Sequence, residues 1–276
     1  MPRGATFGSR TNPASFVHIG RFGPSESELA GFLYPYAFRD VILLREDFLL
    51  EEGTAVTGSG IWVAAGLNGT DFAAPATQLA NGVVTAVLNN VAGDNNTIRT
   101  GAFWLGDNDC GMEMRWKVAD GTNLMFEMGF VDPLTSYDDL ALNDIDTPSI
   151  TNGAVDVALI AQDASQTLTT MAYITDGSTA NMNTTKTNLG TRTPTNATYL
   201  TCRVQLNGAG NTSSAFVFDE NDALVESASH GSALASQTEG ATLRHLWGAW
   251  ETKSTENKTI DLDSVYAWQN VRSIAV

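Results

Sequence analysis

Histidine is the residue type here that most readily supports acid–base or metal chemistry, and the chain has three: His18, His230 and His245. His245 alternates in phase with apolar neighbours such as Trp247, which predicts a hydrogen-bonded core histidine. We expect His230 in a loop at 227–236 and His18 in the N-terminal segment, so the three do not converge. The sequence carries no nucleophile elbow, HExxH motif or phosphate-binding loop. We therefore predict no catalytic residue.

Acid-rich turns are the segments that could offer oxygen ligands to a calcium ion. Four such segments occur: Asp107 with Asp109, Asp138 with Asp139, Asp144 with Asp146, and Asp219–Asp222. None has the spacing of a calcium loop, because Asp219, for example, is followed by neither a glycine five positions later nor a glutamate eleven positions later. We interpret these acids as solvated turn residues and predict no metal and no cofactor.

The six tryptophans could serve either packing or recognition of a sugar. Trp62, Trp116 and Trp247 alternate in phase with apolar residues, which predicts that they lie in the core. Trp104, Trp250 and Trp268 show no such clear phase. Packing is the commoner role of tryptophan, but an exposed indole can stack on a sugar ring. If the protein binds sugar, these last three residues are the candidate platforms.

Charge and composition exclude several classes of partner. The net charge is −16, and it divides into +2 for residues 1–45 (five Arg, three acids) and −18 for the other 231 residues (28 acids, 10 bases). A body without a basic stripe is unsuited to nucleic acid. The polar N-terminus has no hydrophobic signal core, and Val41–Leu44 is too short for a membrane span. We expect a protein made in a cytoplasm, with Cys110 and Cys202 as two buried thiols.

From Arg45 onward a two-residue apolar period dominates, which is typical of β-strands that bury one face. Met112, Met114, Trp116 and Val118 alternate with Glu113, Arg115 and Lys117. Turn pairs such as Asn68-Gly69 and Asp120-Gly121 separate the strands. Eleven strands are predicted at 60–65, 82–88, 102–105, 112–118, 123–130, 155–159, 167–175, 200–206, 213–218, 243–249 and 258–268. Many short strands without helices predict one all-β sandwich or barrel at residues 46–276.

Residues 1–45 form a separate N-terminal arm in this interpretation. Arginines alternate there with single aromatic residues and glycines, and Ser25 with Glu28 predicts one short capped helix. Because the arm is too short to bury its rings against itself, we expect them to lie on another surface, in the same chain or in a neighbouring one. The predicted interface residues are Arg10, Phe16, Arg21, Phe22, Phe32, Tyr34 and Phe38.

Segments of the body resemble the concanavalin A-like, or laminin-G-like, jelly-roll family. The matching segments are REDFLLEEG (45–53), GIWVAAG (60–66), CGMEMRWKV (110–118), LMFEMGF (124–130) and IDLDSVYAWQ (260–269). The resemblance spans about residues 45–270 and implies a two-sheet antiparallel jelly-roll sandwich with the arm extending from it. The resemblance indicates a fold and includes no catalytic motif.

Glycoside hydrolases share that fold, so an extracellular glycanase is one hypothesis that the resemblance raises. The laminarinase-like group places its carboxylates in an E-x-D-x-x-E pattern on one strand. The nearest match here is Glu220, Asp222 and Glu226, whose last spacing is one residue too long. Such a shift turns Glu226 out of register. We interpret this segment as a surface hairpin.

The whole chain also resembles structural proteins of tailed bacteriophages, in which such sandwiches serve as capsid decoration (cement) proteins or tail appendages. The resemblance implies a non-enzymatic virion protein on the capsid surface, bound to the major capsid protein and to copies of itself in a trimer, without nucleic acid or membrane. The arm would tether the sandwich to several subunits. The alternative is a carbohydrate-binding module or tail receptor-binding protein, and the glycanase is the third hypothesis.

Overall fold

The protein is built mainly of β-strands joined by turns and loops. The computed structural model describes residues 15–19, 41–48, 55–56, 61–67, 71–75, 82–150, 156–165, 170–176, 186–190, 197–207, 212–231 and 243–270. A 3-10 helix lies at Gly106–Asn108. No helix in these ranges is long and apolar enough to cross a membrane. The strands are β1 (Ser15–Ile19), β2 (Val41–Glu46), β3 (Trp62–Ala65), β4 (Val84–Leu88), β5 (Asn95–Thr100), β6 (Trp104–Leu105), β7 (Gly111–Val118), β8 (Leu124–Val131), β9 (Leu142–Asp144), β10 (Ser149–Ile150), β11 (Val157–Asp163), β12 (Ala172–Asp176), β13 (Lys186–Asn188), β14 (Leu200–Asn207), β15 (Thr212–Phe218), β16 (Leu224–Gly231), β17 (Leu243–Thr252) and β18 (Lys258–Asn270).

Two eight-stranded sheets carry most of these strands. The first sheet has the order β1-β2-β18-β7-β14-β15-β16, with β4 also paired to β18. The second has the order β13-β12-β11-β8-β17-β5-β3, with β6 also paired to β17. Strands β9 and β10 form a small separate ladder. Every pairing is antiparallel, and neighbours in the sheets are often far apart in the chain.

The two sheets pack face to face around an aromatic core. Trp116 of β7 lies 4.7 Å from Phe126 of β8 and 5.8 Å from Trp250 of β17, measured between ring centroids. Gly248 of β17 allows the close approach of the two sheets, because a Cβ there would lie 3.0 Å from the Met114 side chain of the opposite sheet. These contacts make the molecule a β-sandwich.

The first sheet buries one face only. Strand β7 buries alternate residues from Met112 to Val118 and leaves Glu113, Arg115 and Lys117 partly exposed. Strands β14, β15 and β18 alternate in the same way, with one bulge in β18 between Leu262 and Ser264. This is the pattern of an antiparallel sheet with one face on the core and one on water.

The second sheet is buried on both faces along its central strands. Every residue of β8 and β11 is buried. A second apolar core lies on the outer face of this sheet, where residues of the segment 132–150 pack against it. Its members are Met125, Val131, Leu134, Leu140, Ala141, Leu142, Ile145, Val157, Leu159, Ala161, Ala172, Ile174, Trp247 and Ala249.

The predicted fold class and all eleven predicted strands are confirmed, with boundaries that differ by a few residues. Other strands were not predicted, among them the polar β5 (sequence NNTIRT) and β16. The prediction of a loop around His230 was wrong, since His230 lies in β16. Cys110 and Cys202 are buried free thiols, as expected.

Part of the predicted arm joins the first sheet. Strand β1 pairs with β2 of the same chain, with Phe16 opposite Arg45. Residues 15–19 therefore dock in cis, as an added strand next to β2. Strand β2 itself spans the proposed boundary at residue 45, so the division into arm and body stays a prediction. The expected helix near Ser25 lies outside the described residues.

Candidate functional site

The outer faces of the two sheets hold the polar clusters that could support a function. On the second sheet, antiparallel pairing places Glu127 of β8 between Ala249 of β17 and Ala161 of β11. Directly opposed residues point to the same face, so this carboxylate projects toward the segment 132–150. Glu127 is fully buried there.

The Glu127 carboxylate holds the covering segment by hydrogen bonds. It accepts one from the Ala141 backbone N–H at 2.5 Å and one from the Leu142 backbone N–H at 3.0 Å. The Trp247 indole N–H donates a third at 2.7 Å. Burial raises the pKa of Glu127 to about 7, although these three donors act in the opposite direction. The carboxylate acts as a clamp between sheet and segment.

Tyr137 fastens the same segment through a second polar group. The His245 ring makes hydrogen bonds to the Thr100 carbonyl through Nδ1 (2.8 Å) and to the Tyr137 hydroxyl through Nε2 (2.9 Å). A carbonyl only accepts, so Nδ1 carries the proton of the neutral ring and the Tyr137 hydroxyl donates to Nε2. Burial lowers the pKa of His245. The Arg99 guanidinium lies 3.7 Å from the centre of the Tyr137 ring, and the Thr97 hydroxyl donates to the Tyr137 carbonyl at 2.8 Å.

A carboxylate of raised pKa beside tryptophan, histidine and arginine has the composition of a catalytic cleft. Here the hydrogen bonds of Glu127 and His245 run to residues 137–142, to Trp247 and to the backbone of β5. A substrate would have to displace that segment to reach either side chain. We use the term closed face for the outer face of the second sheet where residues 132–150 cover it, which includes Glu127, His245 and Trp247.

The outer face of the first sheet, which we call the open face, presents partly exposed side chains. Trp268 of β18 lies there, opposite Gly111 of β7. A Cβ on Gly111 would lie 2.2, 2.5 and 2.6 Å from three consecutive atoms of the indole, so the ring occupies the space above this glycine. Gln205 of β14 pairs with Gly111 from the other side, so Trp268, Gly111 and Gln205 lie side by side across three neighbouring strands.

The strand register places polar groups on both sides of Trp268 along the sheet. On one side the Asn270 side-chain amide donates to Asp109 at 3.3 Å. On the other side Arg203 pairs with Glu113, with nitrogen–oxygen distances of 2.7 Å from Nε and 2.6 Å from Nη2. All four side chains are partly exposed.

The far part of the open face interleaves ion pairs with aromatic rings. Arg115 pairs with Asp263 at 3.0 Å, and Lys117 pairs with Asp261 at 3.3 Å. Both cations lie against the Tyr199 ring, at 4.9 and 4.7 Å from its centre. The strongly acidic body thus concentrates several of its few cations on this one face.

The candidate sugar platforms do not share one environment. Trp104 and Trp250 are fully buried in the core, which corrects the expectation that either could stack on a sugar, while Trp268 is partly exposed. Trp62, Trp116 and Trp247 are buried, as predicted. The described residues hold no group of three or more His, Cys, Asp or Glu side chains that could bind a metal.

Most of the predicted arm interface lies outside the described residues, namely Arg10, Arg21, Phe22, Phe32, Tyr34 and Phe38. Phe16 is placed in β1, by its backbone pairing only. The acids at 219–226 form the exposed β15–β16 turn and the start of β16, as the hairpin interpretation predicted. His245 is a buried, hydrogen-bonded histidine, as predicted.

Sequence reasoning missed the role of Glu127. A signal for it exists, because it is the single charged residue in the apolar segment LMFEMGFV. A buried carboxylate needs hydrogen-bond donors, and such an isolated acid in an apolar strand indicates that they exist. Tyr137 gave no comparable signal.

No protein-family model matches the sequence, and no curated protein matches it. Solved structures match it in fold. A protein of unknown function from Shewanella oneidensis MR-1 has a TM-score of 0.55 and 12% identity, covering 93% of this chain and 98% of its own. Peanut lectin, solved with a nine-residue peptide, has a TM-score of 0.51 and 12% identity, covering 84% of this chain and 99% of its own. The protein is therefore a lectin-like, concanavalin-type jelly-roll sandwich, and this likeness extends to fold alone.

Proposed function

We propose that the protein is a non-catalytic structural subunit of a virion, a capsid decoration protein that binds the outer shell. The observation that supports this most is the position of β1. This piece of the arm lies beside β2 in the first sheet, the sheet whose outer face is open. The arm and the open face thus form neighbouring surfaces that can engage the same partner.

The closed face supports a structural rather than an enzymatic role. Its carboxylate and histidine hold the segment 132–150 in place instead of lining an accessible cleft. The acids at 219–226, the nearest match to a glycanase pattern, lie in an exposed hairpin. Neither region offers a pair of carboxyl groups poised across a substrate groove.

In this proposal the major capsid protein and further copies of this chain, arranged as a trimer on a local symmetry axis, are the partners. The aromatic residues of the arm supply most of the binding energy, since each fully buried phenylalanine contributes about 1.5–3 kcal/mol before ordering costs. The arm carries a charge of +2 against −18 for the body, which adds a smaller attraction to acidic surfaces that salt weakens.

Deletion of residues 1–40 tests the proposal. Shells purified without this protein are mixed with the full chain or the deleted chain, washed with salt, and assayed for copies bound per particle by quantitative mass spectrometry. We expect full occupancy by the intact chain and loss of binding by the deleted chain. Failure of the full chain to bind any shell contradicts the virion role. Full occupancy by the deleted chain contradicts the role of the arm.

The deleted chain must fold for that comparison to count. We expect that it does, because β2 stays anchored to the body. Six residues of β2 pair with β18, and the buried Glu46 accepts hydrogen bonds from the Trp62 indole (3.1 Å) and the Phe48 backbone (2.9 Å). A cooperative thermal transition and a β-type circular dichroism spectrum are the control.

A further inference from the structure

Trp268 is the exception among the six tryptophans of the chain. The other five are at most 2% exposed, whereas Trp268 is partly exposed on the open face. A single exposed apolar residue is ordinary by itself. The orientation of this ring and the groups around it are what distinguish it.

The ring lies flat on the sheet. A Cβ on Gly111 would lie 2.2 Å from Cζ2 of Trp268 and 2.5 and 2.6 Å from its two bonded neighbours, Cε2 and Cη2. Because the three distances are so similar, the Cβ position lies above the plane of the ring. If the Cβ approached the edge of the ring instead, Cε2 and Cη2 would lie much farther from it than Cζ2 does. One face of the indole therefore covers Gly111. The opposite face points away from the sheet.

Hydrogen-bonding groups flank this platform. Asp109 and Asn270 lie on one side, Gln205 lies beyond Gly111, and the Glu113–Arg203 pair lies on the other side. Carboxylate oxygens accept hydrogen bonds, a guanidinium donates them, and carboxamide groups both donate and accept them. Asp109 is held in place by the turn that follows the 3-10 helix, where its N–H donates to the Gly106 carbonyl at 3.1 Å.

We propose that Trp268 is the platform of a binding site for a neutral pyranose sugar, with Asp109, Asn270 and Gln205 bonding to its hydroxyls. A sugar ring presents a flat face of C–H groups that packs on an indole, while its hydroxyls point sideways and both donate and accept hydrogen bonds. Carboxylates at both sides of the platform, on a chain of net charge −16, disfavour an anionic sugar. This proposal does not rest on the virion role, although the site lies on the open face, on the opposite side of the sandwich from the closed face.

The test uses the full chain on an array of neutral and acidic oligosaccharides, followed by titration calorimetry with the best soluble neutral binder. We expect saturable binding of neutral glycans that falls about tenfold or more in Trp268→Ala. Gly111→Ala is also expected to weaken binding while the indole is retained, since the new Cβ must displace the ring. Tyr199→Ala, at the far part of the same face, is the matched control and is expected to bind as the wild type does.

Fluorescence gives a measurement that does not depend on any variant folding. Because five tryptophans are buried, acrylamide should quench mainly Trp268 in the wild type, and the bound sugar should protect it. Absence of binding to every glycan on the array overturns the proposal. So does binding that Trp268→Ala leaves unchanged, or binding that gives Trp268 no protection from acrylamide.

Discussion

Glu127 and Glu113 show how differently the two outer faces of this sandwich are used. Each is a glutamate in a strand within its sheet, and each projects away from the central core. Glu127 is fully buried, and three N–H groups donate to it. Glu113 is 23% exposed and pairs with Arg203. The same side chain becomes a structural clamp or a surface group according to whether another segment covers it.

The covering segment also determines how the polar groups on the sheet beneath it must be hydrogen-bonded. A face that is covered must satisfy every polar group internally, because water cannot do so. A face that is open can leave ion pairs and aromatic rings half solvated and available to a partner. In this molecule the closed face therefore contributes stability, and the open face is the place where we expect recognition.

The largest predicted effect is the loss of the clamp. Glu127→Ala leaves the N–H groups of Ala141, Leu142 and Trp247 without their acceptor and opens a cavity. Each unsatisfied buried donor costs about 1–3 kcal/mol, so we expect the free energy of unfolding to fall by about 3–5 kcal/mol. Urea unfolding followed by circular dichroism measures it, and hydrogen exchange should show the loosening centred on residues 132–150. A change below about 1 kcal/mol would mean that the segment is held by its apolar contacts alone.

The second prediction concerns pH. Burial raises the pKa of Glu127 from its ordinary 4.5 to about 7 in the folded protein. The folded state thus binds this proton more tightly than the unfolded state does. The resulting stability is fully present below about pH 4.5 and is lost as the pH rises through about 7.

Glu127→Gln isolates that contribution, because it keeps the size of the side chain and removes the titration. Relative to this variant, the wild type should lose up to about 3 kcal/mol of unfolding free energy across that pH window, from about 1.4 kcal/mol per pKa unit. Burial lowers the pKa of His245, which shifts stability in the opposite sense, but His245 is common to both proteins. Thermal unfolding at several pH values gives the difference. Parallel curves would show that Glu127 keeps an ordinary pKa.

The sequence predicted which side chains are buried better for the first sheet than for the second, for a physical reason. In β7 the core lies on one side and water on the other, so the alternation of Met112 to Val118 records the burial directly. In β17 both faces are buried, and the alternation of His245 with Trp247 marks only one of them. Trp250 faces the central core instead, which the local pattern could not show.

The candidate sites were harder still to predict, because they depend on contacts between distant segments. Glu127 meets Ala141 and Leu142 only after β8 and the segment 132–150 fold together. Trp268 was one of three candidates. Its partial exposure and its pairing with Gly111, far away in the chain, distinguish it from the buried Trp104 and Trp250. Strand β5, with the sequence NNTIRT, has no apolar period to recognise.

The smallest predicted effect is on the open face, at the counterpart of the clamp. Glu113→Ala breaks the ion pair with Arg203, but the guanidinium is 31% exposed and also lies 4.8 Å from the centre of the Phe218 ring. Water can therefore solvate the cation left behind, so no buried charge remains unpaired. We expect the free energy of unfolding to fall by less than about 1 kcal/mol, and a double-mutant cycle with Arg203→Ala should give a coupling energy of similar size that shrinks at about 1 M salt. Urea unfolding at several protein concentrations is the measurement. A loss above about 2 kcal/mol that depends on protein concentration would show that another copy of the chain covers this face in solution, and the contrast with Glu127 would then disappear.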